Sequence, residues 1–196
     1  MRQDAAGTAC GETPQPRSRK SSGDKCWNRG LIGFIMKVHV LEQEQFLPIT
    51  IEEAWAFFST PRNLDEITPS DLGFRIEHCE DGPMFEGQII TYRIKVAPLV
   101  WISWVTEIRA VEEGRSFVDN QMCGPYKLWH HRHSFEEVDG GVLMKDRVYY
   151  GLGFGPFGSI AHALFVSRKV RWIFESRRKF LEERFAGGMS SGPLGG

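Results

Sequence analysis

Three histidines and one aspartate have the side-chain types and the spacing that acid–base or metal chemistry requires. On a strand, His131 and His133 point to one face of the sheet and His130 points to the other. With Asp146 nearby, His131 and His133 would supply the donors of a 2-His-1-carboxylate metal site. The His133–Asp146 pair would alternatively form an oriented general base.

From the sequence we identify no nucleophile and no substrate proton within reach of this pair. We therefore interpret it as a buried, mutually satisfied pair that fixes strand register or binds the polar head of a ligand. No metal ion and no cofactor are expected. Catalytic roles are assigned to His133 and Asp146 only under the alternative that the protein is an enzyme.

A hairpin must position these side chains. Residues 126–138 and 142–150 read as two strands, and Asp139-Gly140 between them favours a type I′ turn. This turn places Val138 opposite Gly141. The same register pairs Phe135 with Met144, His133 with Asp146, His131 with Val148, and Trp129 with Tyr150. A turn at Gly140-Gly141 would instead place His133 opposite Val148.

The remaining elements read as one α+β domain. The pattern predicts a strand from Lys37, a helix over residues 49–58 opened by Thr50 or Pro48, and a short helix from Pro61 to Ile67. Strands follow at 74–79, 87–96, 100–111 and 116–122, the third covered on both faces near its start. We expect a curved antiparallel sheet of about six or seven strands around a final helix over residues 158–185.

The final helix has an apolar face that includes Leu164, Phe165 and Phe174. Its outer face is predicted to be basic and to carry a net charge of +4. A weak contact with an anionic membrane surface is one possible use of such a face. The basic residues assigned to it are Arg168, Lys169, Arg171, Arg177, Arg178, Lys179 and Arg184.

Aromatic residues are abundant for so small a sheet, and they predict a cavity rather than a minimal core. The aromatic set comprises Tyr92, Trp101, Trp104, Trp129, Tyr150 and Phe154. We predict that a ligand contacts Tyr92, Trp104, Trp129, His131, His133, Phe135, Met144, Asp146, Val148, Tyr150 and Phe165.

Residues 153–158 match the G-x-G-x-x-G pattern of dinucleotide-binding loops, between a strand and a helix. A dinucleotide-binding unit needs a second strand after the helix, with an acidic residue that contacts the ribose. Only a glycine-rich tail follows this helix, so the segment does not fit that unit. We interpret the segment as a hinge.

Composition limits the function classes. The 196 residues are 41% hydrophobic and 25% charged with a net charge of −1, which gives no general attraction to nucleic acid. The four cysteines form no C-x-x-C pair, so free thiols in a reducing cytoplasm are expected. No apolar run approaches the roughly 18 residues of a membrane span.

The ends of the chain differ from its centre. Residues 1–36 carry six basic and three acidic groups without apolar periodicity, and residues 186–196 are rich in glycine. We predict a disordered extension over 1–36, a domain over 37–185 and a disordered tail over 186–196. Met36 is our hypothesis for the natural start, with a targeting peptide as the weaker alternative.

The stretches GPYKLWHHRHSF and DGGVLMKDRVYY, followed by PFG and a long helix, resemble the SRPBCC superfamily. This superfamily has the START-like, helix-grip fold and includes polyketide cyclase-like and coenzyme Q-binding domains. The resemblance is greatest to bacterial ligand-binding members, and it covers residues 37–185. It implies a helix-grip fold, while the chemistry of the superfamily varies widely.

Two functions follow as expectations. The first is binding or transport of a hydrophobic small molecule, such as a lipid, quinone or polyketide-like ring, between the sheet and the final helix. The second is a cyclase, dehydratase or isomerase that uses His133 and Asp146. We expect a cytoplasmic protein that does not bind nucleic acid, and a homodimer stays open.

Overall fold

The computed structural model describes residues 36–68, 73–97, 99–153 and 162–186. Seven antiparallel strands form one sheet in the order β1-β7-β6-β5-β4-β3-β2. The predicted α+β architecture is therefore confirmed. The strands are β1 (Val38–Leu47), β2 (Phe74–His78), β3 (Ile89–Ala97), β4 (Val100–Glu112), β5 (Ser116–Cys123), β6 (Leu128–Val138) and β7 (Gly141–Gly151).

Two short helices follow β1, as predicted. Helix α1 (Ile51–Phe58) begins at Thr50, whose hydroxyl accepts from the Glu53 amide while the Glu53 carboxylate accepts from the Thr50 amide. This reciprocal capping satisfies two donors that the first turn cannot pair internally. Four residues separate α1 from helix α2 (Asn63–Ile67). Thr50, rather than Pro48, is thus the residue that opens α1.

The long C-terminal helix α3 (Ser167–Phe185) continues from a π-helical turn at His162–Val166. Its buried stripe is Val170, Phe174, Arg177 and Leu181, at the four- and three-residue steps of one helix face. The Gln45 side-chain amide of β1 donates to the Arg178 carbonyl oxygen at 2.9 Å, which fastens the helix to the sheet.

The β6–β7 hairpin has the predicted register, because Val138 pairs with Gly141 and His133 pairs with Asp146. The predicted turn type is wrong. Gly140 has a φ of +79°, but Asp139 is not among the non-glycine residues with positive φ, whereas a type I′ turn needs positive φ at both positions. Only the residue without a Cβ takes the left-handed conformation here, and the two-residue turn still sets the pairing.

The core lies between the sheet and the helices and has two parts. The larger joins α1 and α2 to the sheet around Phe58, Phe117 and Phe135, and the smaller joins α3 to the sheet around Trp129 and Phe174. Trp104 packs against both. Trp55 of α1 meets the rings of Phe117 and Phe135 edge-on.

Two expectations about burial are wrong. The start of β4 is not covered on both faces, since the consecutive residues Val100 and Trp101, which point to opposite faces, are both exposed. Leu164 and Phe165, assigned to the apolar face of the last helix, are also exposed. They belong to the π-helical turn, whose wider winding does not continue the stripe of α3.

Several predictions concern residues outside the described ranges. These are both predicted tails, apart from Met36 and Ala186, and the proposed start of the last helix with the hinge at residues 154–158 and Phe154. Within the described part of the chain, no helix combines the length and the apolar character needed to cross a bilayer.

Candidate functional site

A cavity of about 730 Å³ lies between α3 and the sheet. Helix α3 contributes one wall and strands β2 to β6 contribute the other. The apolar and aromatic part of the lining includes Leu64, Phe74, Ile94, Trp104, Tyr126, Trp129, Phe165, Ile173 and Phe174.

Six polar side chains interrupt this lining: Thr68, Lys95, Asp119, His131, Lys169 and Arg177. Asp119 and Arg177 also line a second, much smaller cavity of about 20 Å³ with Tyr92, Phe117 and His133. The two polar residues therefore stand at the boundary between the large cavity and the core.

Asp119 is the end of a short hydrogen-bond chain. The Trp104 indole Nε1 donates to Thr106 Oγ1 at 3.1 Å, and that hydroxyl donates to Asp119 Oδ1 at 3.0 Å. Burial raises the pKa of Asp119, opposed by the charge of His133, by the Thr106 hydrogen bond and by the charge of Arg177. The chain ties the orientation of Trp104 to that of Asp119 at the cavity wall.

His131, His133 and Asp146 meet as the hairpin register predicts. His131 Nε2 donates to Asp146 Oδ1 at 2.9 Å, although His131 is the diagonal neighbour and His133 the direct partner. Diagonal neighbours on one face of a sheet are within reach of long side chains. His133 Nδ1 lies 2.9 Å from the same oxygen, but its angle does not make a hydrogen bond, so this contact is electrostatic.

Burial and the contacts within the cluster together set its protonation, and burial is the larger cause for His131. Burial lowers the pKa of His131 to about 3, helped by the nearby His133 charge and opposed by the bond to Asp146. Burial alone would raise the pKa of Asp146, but the two imidazoles outweigh it and hold that pKa well below its usual range. His131 is therefore neutral at pH 7, with its proton on the Nε2 that donates to the carboxylate.

The same three residues present nitrogen and oxygen atoms that all lie within 4.8 Å of one another. This proximity is what a 2-His-1-carboxylate set of metal ligands requires. The two imidazoles already contact the Asp146 oxygen themselves, so the carboxylate has partners without a metal ion.

The predicted ligand-contacting residues divide into three groups. Trp104, Trp129, His131 and Phe165 line the large cavity, and Tyr92 and His133 line the small one. The others are buried beside them in the described core rather than among the lining residues. These are Phe135, Met144, Asp146, Val148 and Tyr150. Their contact with a ligand stays a prediction.

Most of the other lining residues were not predicted as ligand contacts from the sequence, and Arg177 and Asp119 are the two that matter most for the chemistry of the site. Arg177 was assigned to the basic outer face of the helix, but it is only 7% exposed and faces the cavity. The correction comes from helical spacing, since Arg177 follows Phe174 by three residues and precedes Leu181 by four. Asp119 was not singled out. Its signal was its position two residues after Phe117, on the same face of β5.

Comparison with solved structures places this architecture among helix-grip folds. Protein TTHA0849 from Thermus thermophilus has a TM-score of 0.57 at 19% identity, over 78% of this chain and 100% of that one. The norcoclaurine synthase of Thalictrum flavum, a point mutant in complex with a transition-state analogue, has 0.54 at 13% identity, over 76% and 98%. Ara h 8.0201 has 0.50 at 22% identity, over 75% and 99%.

These likenesses establish the helix-grip fold, and they agree with the resemblance to the SRPBCC superfamily at that level. No protein-family model matches the chain, and no curated protein matches it. The particular subfamily stays a prediction.

Proposed function

We propose that this protein binds a hydrophobic small molecule in the cavity between the sheet and α3. The observation that supports the proposal is the cavity itself. Its volume of about 730 Å³ falls within the roughly 300–1,000 Å³ typical of small-molecule sites. Its lining is mostly apolar and aromatic, with a few polar side chains that can fix the orientation of a ligand.

The fold offers support of a general kind. The Thalictrum flavum norcoclaurine synthase, which shares this fold, is in complex with a transition-state analogue. The resemblance to ligand-binding SRPBCC proteins points in the same direction. A lipid, a quinone or a polyketide-like ring are ligands of suitable polarity.

An enzyme is the second candidate, because His131 reaches the cavity and is oriented by a buried carboxylate. Its low pKa argues against this candidate. An imidazole with a pKa of about 3 is a weak base at neutral pH, and its Nε2–H is already engaged in the hydrogen bond to Asp146. Asp146 is in turn engaged by both histidines, so binding is the better-supported function.

Fluorescence titration with N-phenyl-1-naphthylamine, a neutral apolar probe, tests the proposal. We expect saturable binding with quenching of the tryptophans, since Trp104 and Trp129 line the cavity. Ile173→Trp should weaken binding at least about tenfold by filling the space beside Phe174.

The matched control is Lys179→Trp, which adds the same ring on an exposed position of the same helix. Its affinity should equal that of the unmodified protein. Absence of saturable probe binding, or equal affinity for all three proteins, would contradict a ligand site in this cavity.

A further inference from the structure

The guanidinium of Arg177 is buried and incompletely paired. The residue is 7% exposed, and its Nε and Nη2 atoms have no hydrogen-bond partner. A buried ionised group normally pairs with an opposite charge or with acceptors, because its transfer from water costs several kcal/mol. Arg177 therefore has an unmet requirement for an acceptor.

The surroundings of Arg177 do not meet this requirement. Phe174 lies under the guanidinium, with the Arg177 Cζ 5.3 Å from the ring centroid. Asp119 lines the same cavity and is near enough for the Arg177 charge to lower its pKa, but no hydrogen bond or ion pair joins the two side chains among the described residues. His131 is close enough for its protonation to be opposed by the Arg177 charge, and a neutral imidazole does not offset that charge.

The two unpaired nitrogens lie on one edge of the guanidinium. Their N–H bonds are parallel, and this fork matches the two oxygens of a carboxylate. A neutral carbonyl would accept from one N–H and leave the charge uncompensated. An oxyanion satisfies both donors and the charge together.

We propose that Arg177 binds the oxyanion of an amphipathic organic acid whose apolar part fills the large cavity. This inference rests on the proposed function and narrows it from hydrophobic molecules in general to acids. The carboxylate lies at the inner end beside Asp119 and His131, and the hydrocarbon or aromatic part lies along Trp104, Trp129 and Ile173.

A matched pair of probes tests the inference. 1-Anilinonaphthalene-8-sulfonate carries the ring system of N-phenyl-1-naphthylamine plus one anionic sulfonate. We expect the unmodified protein to bind the sulfonate probe more tightly than the neutral one. Arg177→Met should weaken the sulfonate probe at least about tenfold and change the neutral probe less than about threefold.

Arg178→Met is the control, because Arg178 is exposed and its charge pairs with Glu182 on the helix surface. It removes the same charge from the protein and should leave both affinities unchanged. Arg177→Lys keeps the charge without the fork and should give an intermediate loss for the sulfonate probe.

The outcomes separate the two claims. Failure of the neutral probe to bind overturns the proposed function. Binding of the neutral probe with no preference of the unmodified protein for the sulfonate probe, or equal losses in Arg177→Met and Arg178→Met, overturns the acid inference alone. Lys95 and Lys169 also line the cavity, so a preference of the unmodified protein for the sulfonate probe supports the inference only together with the loss in Arg177→Met. Arg177→Lys is the second variant, so a folding defect in Arg177→Met does not remove the test.

Discussion

One oxygen of Asp146 serves two imidazoles: Oδ1 lies 2.9 Å from His131 Nε2 and 2.9 Å from His133 Nδ1. All three side chains are buried between β6, β7 and α3. The carboxylate is therefore an organising centre of the hairpin, and its removal should be costly.

We expect Asp146→Ala to lower the free energy of unfolding by about 2–4 kcal/mol at pH 7.5, because it leaves the buried Nε2–H of His131 without an acceptor. Asp146→Asn keeps an acceptor oxygen and should cost less. Urea denaturation of both variants measures the difference. Equal losses in the two variants would show that the cost comes from packing rather than from the acceptor.

Acidification should destabilise the protein below pH 6.5. The pKa of His131 is about 3 in the folded state and near 6.5 when unfolded, so between these values the unfolded chain binds a proton that the folded chain does not. His131 alone then removes about 1.4 kcal/mol of stability for each pH unit lost. Urea denaturation from pH 7.5 to 5 measures the slope.

His131→Gln should flatten this slope, while His78→Gln, at an exposed position, should not. The raised pKa of Asp119 makes the folded state more stable as the pH falls, which is opposite to the effect of His131. Because both variants retain Asp119, the difference between their slopes reports on His131. Identical slopes would mean that His131 is not held neutral by the fold.

Arg177→Met should stabilise the ligand-free protein by about 1–3 kcal/mol, since it replaces an incompletely paired buried charge with an apolar chain of similar length. Thermal unfolding without ligand measures the change, with Arg178→Met as the surface control. A lower melting temperature for Arg177→Met than for Arg178→Met would argue that the guanidinium already has a sufficient partner.

Gly141 is expected to tolerate no side chain. A Cβ at this position would run into the Leu47 carbonyl oxygen and the Phe46 ring where β1 meets β7. Gly141→Ala should therefore cost about 2–3 kcal/mol, as overpacking of a close-packed site does. Chemical denaturation provides the measurement.

Gly114→Ala is a useful comparison for that variant. Gly114 has a φ of +71° and open space where a methyl group would be added, so only the left-handed backbone is penalised, by about 1 kcal/mol. A cost for Gly114→Ala as large as that for Gly141→Ala would indicate that the contact with Leu47 relaxes easily.

The sequence was most informative about the hairpin. A two-residue turn and the two-residue period of a strand determine which side chains face each other, so the meeting of His133 and Asp146 was predictable. The same period cannot tell which part of a face lies under a helix. Phe135 shares its face with Trp129, but Trp55 of α1 covers Phe135 and makes it core.

Arg177 shows how far the burial of helix residues can be predicted from the sequence. Its charge predicts exposure, while its spacing from Phe174 and Leu181 predicts burial, and the spacing is correct. A charged residue in a buried stripe is energetically unfavourable on its own, so residue type and periodicity conflict there. Such conflicts are expected at functional sites.

The strand order has a consequence for synthesis of the chain. Every neighbouring pair in the sheet joins consecutive strands except β1 with β7, where Leu47 pairs with Val142. Consecutive strands close short loops, whereas this pair must close the longest one. During translation the N-terminal strand therefore stays without its native partner until β7 has left the ribosome, and its capture completes the sheet.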